Sequence, residues 1–201
     1  MTVFHRPCSA AFSLVELLIV IAIIVVIWAM MFSFGSRSHQ ETESERCSDN
    51  LRKIFLSTQI YANDSGAFPL VTNAKTSEPV LNLLVPRYTA DRSIFICPGG
   101  RDPEIPSDAS LADYKVSYAY YMGRSTNSGS GDFLMSDRQI NTQPKNAGDQ
   151  VFSLTGDSPG NNHSKYGGNF LFCDGNVQDV PPRAPFSLAF SNGIVLLNPK
   201  P

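Results

Sequence analysis

Charged side chains are scarce in this chain. Lys, Arg, Asp and Glu make up 17% of 201 residues and nearly cancel, for a formal net charge of −2. There is no basic stripe and no run that interleaves aromatic with basic residues, so nucleic-acid binding has no electrostatic footing. Histidine is rarer: three residues, His5, His39 and His163. A catalytic triad would have to use His163, which has no evident serine partner. Ser128-Gly129-Ser130-Gly131 lacks the strand-to-helix setting of a nucleophile elbow. Phosphate-binding glycine loops and compact zinc spacings such as Cys-x-x-Cys are also missing. These absences argue against an enzyme and turn attention to structural and binding roles.

Apolar sequence near the N-terminus is abundant. From Leu17 to Phe32 no residue carries a charged, amide or hydroxyl side chain. Phe12, Leu14, Val15 and Phe34 extend the run to nearly the roughly 20 residues a helix needs to span a bilayer. A secretory signal would have a shorter apolar core with a small-residue cleavage site after it. Ser33-Phe34-Gly35-Ser36-Arg37-Ser38-His39 offers no such site, so the run is expected to stay attached as an anchor. Cys8 follows His5-Arg6-Pro7, which excludes a lipobox. Glu16 stands at the start of the run. A carboxylate close to hydrocarbon is costly, which makes Glu16 a functional residue by default. Arg6 favours a cytoplasmic N-terminus, an argument blunted by Arg37 and Arg46 on the other side.

The residues Ala11-Phe12-Ser13-Leu14-Val15-Glu16-Leu17-Leu18-Ile19-Val20-Ile21-Ala22-Ile23-Ile24 closely resemble the N-terminal processing signal of type IV pilins and type II secretion pseudopilins. The resemblance implies a leader, 1–11, cut between Ala11 and Phe12 by a prepilin peptidase that also methylates the new amine. It further implies an assembly and transmembrane helix over 12–34, in which Glu16 assists polymerisation. Ala11 stands where the family usually has Gly. Over 35–201 it implies a head of the pilin-like α+β class, a long N-terminal helix packed on a small antiparallel sheet with long loops.

Beyond the anchor, Cys47, Leu51, Ile54, Phe55, Thr58 and Tyr61 recur at helical spacing, so one largely apolar face continues the helix. Asn63-Asp64-Ser65-Gly66 and then Pro69 should end it, and Gly35 is the expected place for a bend. Ile94–Cys97, Val116–Met122, Val151–Leu154 and Ile194–Leu197 read as short strands, with 116–122 half-buried by its alternation. Residues 123–132 read as a flexible surface loop, and 181–186, with three prolines, as irregular. Asn169–Cys173 and Asn176–Val180 flank Asp174-Gly175, which predicts a hairpin with a type I′ turn. Several of these segments also resemble a pilin-like subgroup abundant in planctomycete-type bacteria. They are Cys47–Ile54, Tyr61–Pro69, Cys97-Pro98 and the His163…Asp174-Gly175 element. This chain has ten residues between that His and Asp, where nine are usual, and Asn176 where a second His is common.

Three cysteines lie beyond the predicted cut, Cys47, Cys97 and Cys173. An exported head would sit in an oxidising compartment, where one disulfide and one leftover thiol are expected. The helix face puts Cys47 toward the sheet, and Cys97 closes an apolar segment, so these two are the favoured pair. Asp157, His163 and Asp174 form a second candidate group, in an oxygen-rich loop that suits Ca²⁺. The preferred reading is that Asp174 builds its turn and His163 hydrogen-bonds across the loop, with no cofactor. The expected function is a structural subunit of a type IV pilus or secretion pseudopilus. Its partners would be the prepilin peptidase/N-methyltransferase, other pilin-type subunits and the inner membrane, with the head extracytoplasmic, at the membrane or in an extracellular filament. The alternative is a solitary anchored binding protein whose loops, 70–92 and 99–150, take a glycan or protein; a tethered hydrolase is a third, weaker class.

Overall fold

A computed structural model describes residues 13–190 and 193–201, without the side chains of 32–39. The predicted cut at Ala11 and Phe12 lies outside the described residues. Contacts divide the chain into two units, 1–39 and 40–201. One helix, α1 (Leu14–Ser65), contributes to both and remains helical through Gly35. In the first unit, Leu14–Met31 is long and apolar enough to cross a membrane and none of it is buried. Leu, Ile and Val crowd this stretch, and Ile19, Ile23 and Trp28 are each more than half exposed.

In the second unit, α1 turns one stripe inward. Cys47, Leu51, Ile54, Thr58 and Ala62 are buried, at intervals of three and four residues, while Phe55 and Tyr61 pack at its margin. The helix stops at Ser65, whose Oγ donates to Tyr61 O and Ala67 O, and Gly66 takes a positive φ of 79°.

Five antiparallel strands form one sheet: β1 (Tyr118–Met122), β2 (Phe133–Asp137), β3 (Gly168–Phe172), β4 (Val177–Val180) and β5 (Val195–Leu197), in the order β4-β3-β2-β1-β5. β1 is buried on both faces instead of one. Tyr118 and Tyr120 face the α1 core with Leu51 and Ile54, whereas Ala119 and Tyr121 enter a second core. That second core is aromatic, with Phe133, Phe170 and Phe186 in mutual ring contact and Phe152 against Phe170, and the chain after β4 covers it. The tyrosines keep the polar-looking alternation of 116–122 but are large enough to fill both sides.

Two expected strands are absent. Ile94–Cys97 begins as a 3₁₀ turn over Ser93–Phe95. Asp91 Oδ1 accepts from both Ser93 N and Ser93 Oγ, and this local cap outcompetes a strand ladder. Val151–Leu154 is irregular, because its N–H groups at Val151 and Phe152 both reach Pro182 O and the prolines there cannot return a ladder bond. Conversely, the periodicity misses β2, whose five residues are all buried. The 123–132 loop is held by an Arg124–Asp132 ion pair of 2.8 Å and by Gly129 N donating to Asp132 Oδ2.

The β3–β4 hairpin forms, but with a different turn. Phe172 pairs with Asn176 through its N–H, Gly175 N donates to Phe172 O, and only Gly175 has positive φ, 88°. This is a three-residue loop ending in a left-handed glycine, where a type I′ turn would need two such residues. Asp174 Oδ1 accepts from Asn176 N at 2.9 Å. A Cβ on Gly175 would sit 2.6 Å from the Phe55 ring. Asp174→Ala should therefore lower stability by about 1 kcal/mol. Gly175→Ala should cost more, because it adds backbone strain to the clash with α1. Denaturant titration of the two variants ranks them, and equal midpoints would refute this account of the turn.

Candidate functional site

One group of candidate residues lies in the N-terminal segment. Glu16 lies in the first turn of α1, where the partial positive charge of the helix end favours a carboxylate. It is exposed and is followed by an uninterrupted apolar stretch.

A second candidate group is a buried polar centre in the second unit. Asp137 ends β2 and is fully buried, and His163, from the loop before β3, is 2% exposed. His163 Nε2 lies 3.1 Å from Asp137 Oδ2 and 3.5 Å from Cys97 Sγ. The backbone N–H of Asn169 donates to Asp137 Oδ2 at 2.7 Å, and Asn162 Nδ2 donates to Asp137 Oδ1 at 2.8 Å. Asn162 Nδ2 also reaches Ser117 O, and Asn169 Nδ2 reaches Ser44 O on α1. Cys47 and Cys97 are joined in a disulfide beside this centre, and Cys173 is free.

The candidate loop residues are not brought together. Asp157 is exposed and engaged by Thr155 Oγ1 at 2.8 Å, and Asp174 is exposed in its hairpin turn. His163 turns inward to Asp137, a residue the sequence pattern did not single out because it ends a strand that carried no alternation. Among the described residues, the ligand atoms that converge belong to Cys47, Cys97, Asp137 and His163, all within 4.8 Å of one another. The only advance signal was the side-chain chemistry of Asn162, His163 and Asn169, three polar residues clustered around a strand start.

Burial pushes the Asp137 carboxyl up, but the His163 charge and the donors from His163, Asn169 and Asn162 overcome it and hold the group below the usual carboxylate range. Burial alone would lower His163, yet Asp137, with Asp179 and Glu43 further out, raises it above an ordinary imidazole. Each member of the pair thus favours the charged form of the other. Burial pushes the Cys173 thiol up to about 11 against the pull of Arg124, so it stays protonated and is a poor nucleophile. The sulfur nearest His163 is already bonded, so the dyad faces no free nucleophile there.

Residues 6–32 match the family model of the prokaryotic N-terminal methylation motif. The chain therefore carries the processing signal of type IV pilin-type precursors. No curated protein and no solved structure matches it. The apolar helix and the motif together fit a membrane-anchored protein.

Two predictions follow from the buried centre. His163 is raised in the folded state, so its contribution is complete below about 6.5, its ordinary value, and is lost as pH rises through the raised one. Asp137 is depressed, so its contribution is complete above the ordinary 3.8 and is lost as pH falls through the lowered value. Stability supplied by the pair should thus be greatest between these ordinary values, and His163→Gln should remove the alkaline decline measured by denaturant titration across pH. An unchanged alkaline slope in that variant would refute the assignment. The second concerns Gly99: a Cβ there would lie 2.6 Å from Asn162 O and 3.0 Å from His163 Nδ1. Gly99→Ala should destabilise by about 1–3 kcal/mol, read from the same unfolding curve.

Proposed function

We propose that the chain is a structural, non-catalytic subunit of a type IV pilus or type II secretion-like pseudopilus. In this reading a prepilin peptidase cuts between Ala11 and Phe12 and methylates the Phe12 amine. The subunit waits in the inner membrane with residues 35–201 on the extracytoplasmic side, then joins other pilin-type subunits through α1. The observation that carries the reading is the methylation motif over 6–32 laid on a wholly exposed apolar helix with a single carboxylate in its first turn. A carboxylate near hydrocarbon needs an opposite charge, and the freed amine of a neighbouring Phe12 supplies one during assembly.

A second reading has one observation in its favour. An open groove of about 550 Å³ runs beside the second half of α1, lined by Arg46, Asp49, Asn50, Lys53, Ser93 and Glu104 among others. Its mixed charges suit a polar glycan or peptide held by a solitary anchored protein. Glu16 separates the two readings, because a lone tether has no use for it.

Intact-mass analysis of the membrane fraction should find a methylated N-terminus at Phe12. Glu16→Ala should insert normally yet yield no sheared filaments. Recovery of unprocessed Met1 protein alone would refute processing, and filament yield equal to wild type would favour the plain tether.

A further inference from the structure

A set of potential metal donors converges beside α1. The disulfide sulfurs of Cys47 and Cys97, His163 Nε2 and an Asp137 oxygen lie within 4.8 Å of one another. Zinc bonds of about 2.0–2.3 Å in a tetrahedron imply ligand-to-ligand edges of about 3.3–3.8 Å. Two edges already stand near those lengths: Nε2 to Asp137 Oδ2 at 3.1 Å and Nε2 to Cys97 Sγ at 3.5 Å. We propose that the dithiol form of Cys47 and Cys97, together with His163 and Asp137, is a tetrahedral Zn²⁺ site, so that metal and disulfide are alternative clasps on the same joint.

The surroundings are those of a metal site. Asn162 Nδ2 and Asn169 N already orient the Asp137 carboxylate, which is what outer ligands do around a bound metal. His163 Nδ1 is buried and has no hydrogen-bond partner. With Nε2 on a metal, the ring proton must reside on Nδ1, and the absence of a Cβ on Gly99, which would stand 3.0 Å from that atom, leaves room for it. Two donors sit on well-fixed backbone, Cys47 within α1 and Cys97 at a turn closed by Gly100 N to Cys97 O at 2.9 Å. Two thiolates and one carboxylate against Zn²⁺ leave a single negative charge, which the Asn162 and Asn169 donors face.

The chemistry balances through a dithiol reductant. Its two S–H groups give two electrons and two protons and close into its own disulfide. The Cys47–Cys97 bond breaks and both cysteines become thiols. Zn²⁺ then displaces the two thiol protons and the Nε2 proton. A chain newly exported with reduced cysteines would bind the metal with no reductant at all.

The site lies within the second unit and stands or falls independently of pilus assembly. The test uses the full chain in detergent micelles, reduced with dithiothreitol and desalted without oxygen, with Co²⁺ and Zn²⁺ as probes. The reduced chain should bind one ion, and cobalt should show intense tetrahedral ligand-field bands with a sulfur-to-cobalt charge-transfer band. Bound Zn²⁺ should shield Cys47 and Cys97 from alkylation. The oxidised chain should bind none. Cys97→Ser should abolish the charge-transfer signature at this site, Cys173→Ser should preserve it, and His163→Gln should weaken binding by at least about tenfold. No binding by the reduced wild type, an octahedral cobalt spectrum, or undiminished binding in Cys97→Ser or His163→Gln would overturn the proposal. So would a reduced chain that unfolds and does not regain its circular dichroism with zinc, which keeps the test decisive if the variants fold poorly.

Discussion

The buried carboxylate of Asp137 is the constraint on which the second unit depends. An ionised carboxylate away from water is tolerated only with several donors and an opposite charge. Asp137 obtains them from the backbone of β3 at Asn169, from Asn162 and from His163. Each donor has a further tie: Asn162 to Ser117 just before β1, Asn169 to Ser44 on α1, and His163 to the sulfur of Cys97. One charge thereby fixes the mutual placement of α1, three strands and the loop over 161–163. Removing one partner would strand the others, which is why such networks act as a unit.

The disulfide and the packing act in the same direction. Cys47 and Cys97 are separated by 50 residues, and closing a loop of that size restricts the unfolded chain by about 4 kcal/mol in the chain-entropy account. Above the sheet, α1 buries one stripe against Tyr118, Tyr120, Leu134 and Leu171. Below it, no helix among the described residues packs, and the chain after β4 supplies Ala184, Phe186 and Leu188 instead. The bulky aromatics let an irregular, proline-rich segment cover a whole sheet face, because a few large rings fill the space that a regular element would otherwise occupy.

The first unit follows different physics. Its apolar side chains over Leu14–Met31 remain exposed, which suits lipid or a second apolar helix better than water. The matched methylation motif covers this same stretch, so the chemistry of the N-terminus and the solvent preference of the helix are written in one segment. The two units thus differ in what holds them: an exposed apolar helix in the first, and a head cross-braced by buried charge in the second.

The apolar N-terminal helix, the inward stripe on α1, its stop at Ser65-Gly66 and the β3–β4 hairpin were legible in the sequence. All rest on local rules, namely hydrophobic runs, 3.6-residue periodicity and glycine's tolerance of positive φ. The placement of β2, the conversion of 94–97 into a turn and the burial of both faces of β1 were not, because they depend on which distant segment covers which face. The candidate site divides in the same way. His163 could be singled out from composition, but its partner is Asp137 rather than Asp157 or Asp174. A side chain's partner is set by which strands lie side by side, and strand order is a property of the assembled sheet. What the sequence by itself determined was where the helix runs, where it meets apolar surroundings and where the chain turns. Tertiary structure alone decided which charge is buried, because only the packed fold takes water away from it and obliges its neighbours to supply the hydrogen bonds.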